Sequence, residues 1–451
     1  MGLIFLSLFA VAEITLVILT FTKFSEKSKW LKNRLLVRAV EAVIITAIIL
    51  LPTTYLKWRF LAAAFVVIVR LLISAISFLI RRKKVQGPKK KAGTVLNCIF
   101  SVILIAVALV PSFIFANYNG LKTTGKYSIN ECSAILVDQS RKETYENDGS
   151  FREIPAHFYY PESNDGSFPL VIFSHGAFGY YQSNYSTYAE LASNGYVVVS
   201  LDHPHHAFFT KDTDGKLITV DQDFINDAMR ISNDSSVSCE EIYKVTKSWM
   251  QLRVDDGCFV IDTIKQAKDS NKLSNTWHTD DTERILSILD NTDTEKIGYI
   301  GHSLGGATGI ALGRQRDDID TVIDLDGTAL GEITGVSDGK FVCDNTSYPV
   351  PALVFSQKLN YNENANEQER SILDINTNLV NNAKDAKYVE FSGAGHMDFT
   401  DLPLFSPFLG AMLGHGDIDS EECMTKVNSI VLNWFDYYLK NEGSLDIQAR
   451  Y

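Results

Sequence analysis

Lys296-Ile297-Gly298-Tyr299-Ile300-Gly301-His302-Ser303-Leu304-Gly305-Gly306-Ala307 decides the fold of the larger part of this chain. A β-branched and aromatic run leads into Gly-x-Ser-x-Gly, and small residues open a helix directly after it. This is the strand-to-helix turn that presents a serine above a sheet. Gly301 and Gly305 relieve crowding around a strained Ser303, while Gly306 and Ala307 let the helix pack closely on neighbouring strands. Ser303 Oγ then stands near the positive end of that helix. An unassisted hydroxyl is a poor nucleophile, so a histidine base and an orienting acid are expected downstream, in the order serine, acid, histidine. Asp326 ends the next strand in Thr321-Val322-Ile323-Asp324-Leu325-Asp326-Gly327, and His396 follows the last strand in Gly393-Ala394-Gly395-His396-Met397-Asp398-Phe399. Asp324 shares a strand face with Asp326 but lies deeper, and His415 is the other histidine of this third of the chain; Asp326 and His396 are the expected partners. Acyl transfer also needs fixed donors for an oxyanion. The Leu304 N–H is one, and the turn Ser174-His175-Gly176-Ala177-Phe178-Gly179 supplies the other, from Ala177 or alternatively Phe178.

Outward from this stretch, candidate strands alternate with helices: 134–137, 157–160, 170–174, 197–201, 296–300, 321–325, 352–355 and 388–391, with helices over 188–193, 253–265, 304–314 and 429–439. Near-continuous apolar strands with intervening helices imply a mostly parallel sheet covered on both faces. Residues 131–451 are therefore expected to form an α/β domain, and the long interval over 208–290 a cap at the C-terminal edge of the sheet. His203, His205 and His206 in Asp202-His203-Pro204-His205-His206 read as a rim loop of the site rather than as metal ligands. No metal or cofactor is expected. The six cysteines, at 98, 132, 239, 258, 343 and 423, contain no C-x-x-C pair, which argues against zinc ribbons and thioredoxin-type sites.

Composition divides the chain. Of 451 residues 46% are apolar and 21% charged, too hydrophobic for disorder. Up to residue 116 there are 16 Lys/Arg and 3 Asp/Glu, against 26 and 51 beyond it, so the first part carries +13 and the remainder −25. So acidic a major domain argues against nucleic-acid binding. Four apolar runs, 3–21, 35–51, 60–80 and 95–115, are each about the 17 to 25 residues that cross roughly 30 Å of hydrocarbon, and a linker over 117–130 follows them. Basic loops between the first and second runs (Lys23, Lys27, Lys29, Lys32, Arg34) and between the third and fourth (Arg81, Arg82, Lys83, Lys84, Lys89, Lys90, Lys91) place those loops on the cytoplasmic side. The expectation is a multi-pass cell-membrane protein with an extracytoplasmic acidic domain. Glu13 and Arg70, each in the middle of a run, are expected to pair, and Glu41 to pair locally with Arg38 or snorkel.

The region from about Cys132 to Leu439 resembles the α/β-hydrolases, most closely the serine-esterase branch that contains platelet-activating-factor acetylhydrolase, with dienelactone-hydrolase-like and polyester-hydrolase-like esterases as wider relatives. The resemblance is carried by Phe173-Ser174-His175-Gly176, the segment from Ile300 to Thr308, the step from Ser303 to Asp326, the turn Gly393 to His396, and Gly416-Asp417-Ile418-Asp419-Ser420 before the closing helix. It implies a Ser303, Asp326, His396 triad, an oxyanion hole from Leu304 and Ala177, and calcium-independent hydrolysis of short or oxidised acyl esters. Gly327-Thr328-Ala329 stands where bulky aromatic residues help shape the acyl pocket in that family, so phospholipid specificity is not carried over with the resemblance. The expected function is a membrane-anchored serine esterase acting on short-chain acyl esters or acyl lipids. A lipase, phospholipase or polyester hydrolase is the alternative in substrate, and a membrane sensor or transporter accessory with a ligand-binding hydrolase-like domain is the alternative in class.

Overall fold

Strands made of uninterrupted Val, Ile, Leu and Phe must bury both faces, and the computed structural model shows how. It describes residues 1–22, 26–81, 83, 87–163, 166–358 and 367–451, in two units: residues 1–120 with 403–412, and residues 121–402 with 413–451. Lys23, Arg82 and Lys84 of the expected basic loops lie outside the described residues.

In the second unit the chain forms β1 (Ile129–Lys142), β2 (Phe151–Pro161), β3 (Phe168–Ser174), β4 (Val197–Leu201), a hairpin of β5 (Phe209–Lys211) and β6 (Leu217–Thr219), β7 (Trp277–His278), β8 (Thr292–His302), β9 (Thr321–Leu325), a hairpin of β10 (Ile333–Ser337) and β11 (Lys340–Cys343), β12 (Ala352–Ser356) and β13 (Ala386–Glu390). Nine of these make one sheet in the order β13-β12-β9-β8-β3-β4-β2-β1-β7. It is parallel from β13 to β4 and antiparallel from β4 to β7. The two-residue strand period sorts the apolar residues into two cores. Leu170 and Ile172 of β3 pack on one face with Ile261, Ile310 and Leu312, while Val171 and Phe173 pack on the other with Leu191, Val427 and Trp434. The expected strands all fall within or beside these elements.

The 208–290 interval divides. Its second half is not a cap. The helix Cys239–Ser270 contributes Val254, Val260, Ile261 and Ile264 to the core, Trp277 lies on edge strand β7, and Ile285, Ile288 and Leu289 join the same cluster. A helix with one long apolar face becomes a layer of the sandwich rather than a lid. The 117–130 linker is shorter than expected: the Thr124 N–H donates to Glu190 Oε2 (2.9 Å), the Gly125 N–H to Ser193 Oγ (3.1 Å) and the Tyr127 N–H to the Ser193 carbonyl (3.0 Å), fixing it to the helix Tyr185–Ser193. No disulfide joins any of the six cysteines among the described residues.

The first unit holds the helices α1 (Gly2–Leu19), α2 (Lys27–Leu50), α3 (Leu61–Arg81) and α4 (Lys91–Ala108). Three described helical segments, Gly2–Leu19, Lys57–Arg81 and Lys91–Ala108, are long and apolar enough to cross a membrane. The second expected run, 35–51, lies in α2, whose length carries Lys27, Lys29, Lys32, Arg34, Arg38 and Glu41, and α2 is not among the three. Large apolar side chains point outward, including Leu3, Ile14, Val43, Phe65, Leu79, Leu96 and Phe100, while Glu13, Arg38 and Glu41 are buried between helices. Glu13 bonds Arg70, as expected, and also Arg38, which in turn bonds Glu41 at 2.7 Å. Glu41 is therefore buried in a four-residue network, not snorkelling toward a surface.

Candidate active site

Ser303 stands between β8 and the helix Leu304–Gln315 with φ 54° and ψ −122°, a conformation that costs a non-glycine residue of order 1–3 kcal/mol and persists only when the surroundings enforce it. They do so here through glycine. A Cβ on Gly301 would lie 2.6 Å from Gly306 N, and one on Gly305 would strike the Ser174 carbonyl. The Ser303 N–H also donates to the Leu325 carbonyl (2.9 Å), locking the turn to the end of β9. Asp326, Phe178 and His205 likewise hold positive φ (56°, 63° and 67°), so backbone strain gathers around this edge of the sheet.

Asp326 and His396 meet directly: His396 Nδ1 lies 2.7 Å from Asp326 Oδ2. Gln357, which the sequence did not single out, completes the carboxylate's shell, its backbone N–H donating to Oδ1 (2.8 Å) and its side-chain amide to Oδ2 (3.2 Å). Asp324 is fully buried, accepts the Gly327 N–H (2.8 Å) and faces Gly306; burial and the neighbouring Asp326 hold its carboxyl well above the usual range. His415 is engaged elsewhere, with Asp398 (2.6 Å), whose other oxygen accepts from the Gly395 and Gly416 N–H groups (2.8 Å each) and pins the turn that carries His396. His302, kept neutral by burial, reaches the His396 carbonyl through Nε2 (3.0 Å) with ring centroids 4.6 Å apart. This brings His396 beside the Ser303 turn. Asn376 anchors the loop after Asp326 by bonding Gly327 O (2.8 Å) and the Ala329 N–H (2.9 Å).

The His175-Gly176-Ala177 turn packs against the serine: a Cβ on Gly176 would stand 3.1 Å from Ser303 Cβ. Phe178 is excluded as a donor toward Ser303, because its N–H is bonded to the His206 carbonyl (3.1 Å). Leu304 opens its helix, where the first N–H groups have no partner within the helix. Leu304 and the turn that carries Ala177 thus both adjoin Ser303.

The histidines at 203, 205 and 206 are not a rim. All three are buried, and two have their ring nitrogens engaged, which is what makes such burial tolerable. His203 bonds Ser174 Oγ and Asp256 (2.9 Å each), His206 bonds Tyr145 (2.8 Å) and Arg253 (3.2 Å), and His205 stacks on Tyr145. Burial, reinforced by Arg253, lowers His203 to about 4. Burial would raise Asp256, but Arg152 (2.8 Å) and His203 hold it well below the usual carboxylate range. Burial pushes Arg253 down to about 9, so it stays a cation at neutral pH.

The family model described as platelet-activating factor acetylhydrolase, isoform II, matches residues 149–447. Platelet-activating factor acetylhydrolase of Cavia porcellus is 24% identical over 315 residues, 65% of this chain and 63% of that protein. The one of Canis lupus familiaris is 24% identical over 300 residues, 63% of this chain and 60% of that protein. This chain thus spans about three-fifths of the length of the curated relatives it matches. A ferulic acid esterase from Streptomyces cinnamoneus shares the fold, with a TM-score of 0.52 and 18% identity over 74% of this chain and 97% of its own. With the family model covering well over half of the residues, the chain belongs to the platelet-activating factor acetylhydrolase, isoform II, family.

Proposed function

We propose that this protein is a membrane-anchored serine hydrolase that cleaves carboxylic esters, with short-chain acyl esters or acyl lipids as substrates. The observation that carries the reading is Ser303, held at positive φ on a glycine-walled turn, beside a His396–Asp326 pair at 2.7 Å. With Nδ1–H given to Asp326, His396 keeps Nε2 as the base. It takes the Ser303 proton as Oγ attacks the ester carbonyl, and Leu304 and Ala177 N–H groups receive the oxyanion. The imidazolium then protonates the departing alcohol, and water activated by the same histidine releases the acid from the acyl-enzyme. Membership of an acetylhydrolase family and the likeness to a ferulic acid esterase support ester hydrolysis.

Three apolar helices, with their large side chains turned outward around buried ionic residues, support anchoring in a bilayer. The basic loops support an orientation with the acidic domain outside the cytoplasm. Purified Ser303→Ala should stay folded and lose nearly all turnover of a short-chain nitrophenyl ester and all fluorophosphonate labelling. Undiminished turnover refutes the assignment. Protease added to intact cells should degrade the chain beyond residue 120; protection of that region until the membrane is permeabilised would reverse the orientation.

A further inference from the structure

Arg253, the first residue of the helix expected over 253–265, lies entirely buried behind the turn that carries Ala177. Its guanidinium donates from Nη1 to the His175 carbonyl (2.6 Å), from Nη2 to the Gly176 carbonyl (3.4 Å) and from Nε to His206 Nδ1 (3.2 Å). None of these three acceptors is a carboxylate. A planar fork of this kind can hold two successive carbonyls at once, which a lysine ammonium cannot reproduce.

We infer that Arg253 is a positioning residue for the oxyanion hole: by holding the Gly176 carbonyl on its own side of the turn, it aims the Ala177 N–H at Ser303. Gly176 C=O and Ala177 N–H belong to one peptide unit, and no peptide bond here is cis. In a planar trans peptide the two groups point in opposite directions. Fixing the carbonyl therefore fixes the donor. Two more bonds hold the same oxygen, from His175 Nδ1 (2.6 Å) and the Gly179 N–H (3.1 Å). His175 is itself held at its other nitrogen, where Nε2 accepts the His203 N–H (3.1 Å), and His203 is tied to Asp256. A Cβ on Gly176 would stand 3.1 Å from Ser303 Cβ, so the turn that Arg253 holds passes directly beside the nucleophile. A buried cation that donates to two successive carbonyls also polarises their peptide groups, making the attached N–H groups better donors to a developing negative charge.

This inference rests on the proposed esterase chemistry, and the test separates the two. Full-length Arg253→Gln and Arg253→Lys would be compared with the wild type on a short-chain nitrophenyl ester and with a trifluoromethyl ketone that forms a tetrahedral adduct. Deleting an oxyanion donor commonly costs about 10²–10³-fold in kcat, and misaiming one should cost about 10–100-fold. The expected result is that fall in kcat with KM within about threefold, and a matching rise in the inhibition constant of the ketone. Folding is checked by near-ultraviolet circular dichroism. Wild-type kcat in either folded variant, or a loss confined to KM, overturns the positioning role. Failure of both variants to fold overturns it too, by making Arg253 a residue of the core. Ser303→Ala measured alongside decides the underlying reading independently: if that variant keeps turnover, the esterase assignment falls whatever Arg253 does.

Discussion

Asp326→Asn and Asp324→Asn make the same change at two positions on one strand end, and should differ by about three orders of magnitude in kcat. Both Asp326 oxygens accept from donors: Oδ1 from the Gln357 N–H (2.8 Å), and Oδ2 from His396 Nδ1 (2.7 Å) and the Gln357 amide (3.2 Å). An asparagine amide must turn its NH2 toward one of them. Facing Gln357 it strands a backbone N–H, at a cost of about 1–3 kcal/mol. Facing His396 it forces the proton onto Nε2, where the base should be. The second outcome removes the base, and a loss of about 10³- to 10⁴-fold is expected, equivalent to about 4–5.5 kcal/mol of barrier at about 1.36 kcal/mol per tenfold. Asp324, whose carboxyl burial holds well above the usual range, accepts one N–H from Gly327, and its Oδ2 has no hydrogen-bond partner among the described residues. An amide there keeps the acceptor for the Gly327 N–H and leaves the His396–Asp326 pair untouched, so kcat should stay within about tenfold. Initial rates on a nitrophenyl ester at neutral pH, with folding verified, read both variants. Equal losses, or an Asp326→Asn variant within tenfold of the wild type, would refute the assignment of the acid.

Gly305→Ala drives a Cβ into the Ser174 carbonyl, backbone against backbone, and should cost about 1–3 kcal/mol, visible as a lowered melting temperature with loss of turnover; a native-like melt speaks against the tight elbow. Glu13→Gln leaves buried Arg38 and part-buried Arg70 without their shared carboxylate and should destabilise the helical unit by about 3–5 kcal/mol, read as reduced accumulation of folded protein in detergent; wild-type yield and melting would contradict that. Burial raises Asp401 from its ordinary 3.8 to about 6, against two bonds from Ser186 that lower it. A raised carboxyl contributes stability below about pH 4 and loses it as pH rises through about 6, a change worth up to about 3 kcal/mol. The melting temperature of Asp401→Asn should therefore climb relative to the wild type between pH 4 and pH 7, and a flat difference would contradict the buried acid.

By itself the sequence determined the local chemistry. Strand, glycine-rich elbow and helix are written in consecutive residues from Lys296 to Ala307, and apolar runs without polar breaks require a sheet covered on both faces. Asp326 and His396 were legible because each follows a strand, and strand ends of a parallel sheet gather at one edge. Glu13 and Arg70 announced their pairing because isolated charges stand out in apolar helices. Tertiary structure decided what depends on contacts between distant segments. Gln357, Asn376 and Asp398 fix the acid, its loop and the histidine turn, yet each is an ordinary polar residue in its own stretch. His203 and His206 look like surface histidines until Asp256, Ser174, Tyr145 and Arg253 arrive from other parts of the chain to satisfy them. Arg253 sits in a helix whose charged residues suggest exposure, and only packing that helix against the helix Leu304–Gln315 and β2 buries it under the His175–Gly176 turn. The physical reason is that periodicity and turn chemistry act over a few residues, whereas satisfying a buried polar group depends on which strands the topology makes neighbours.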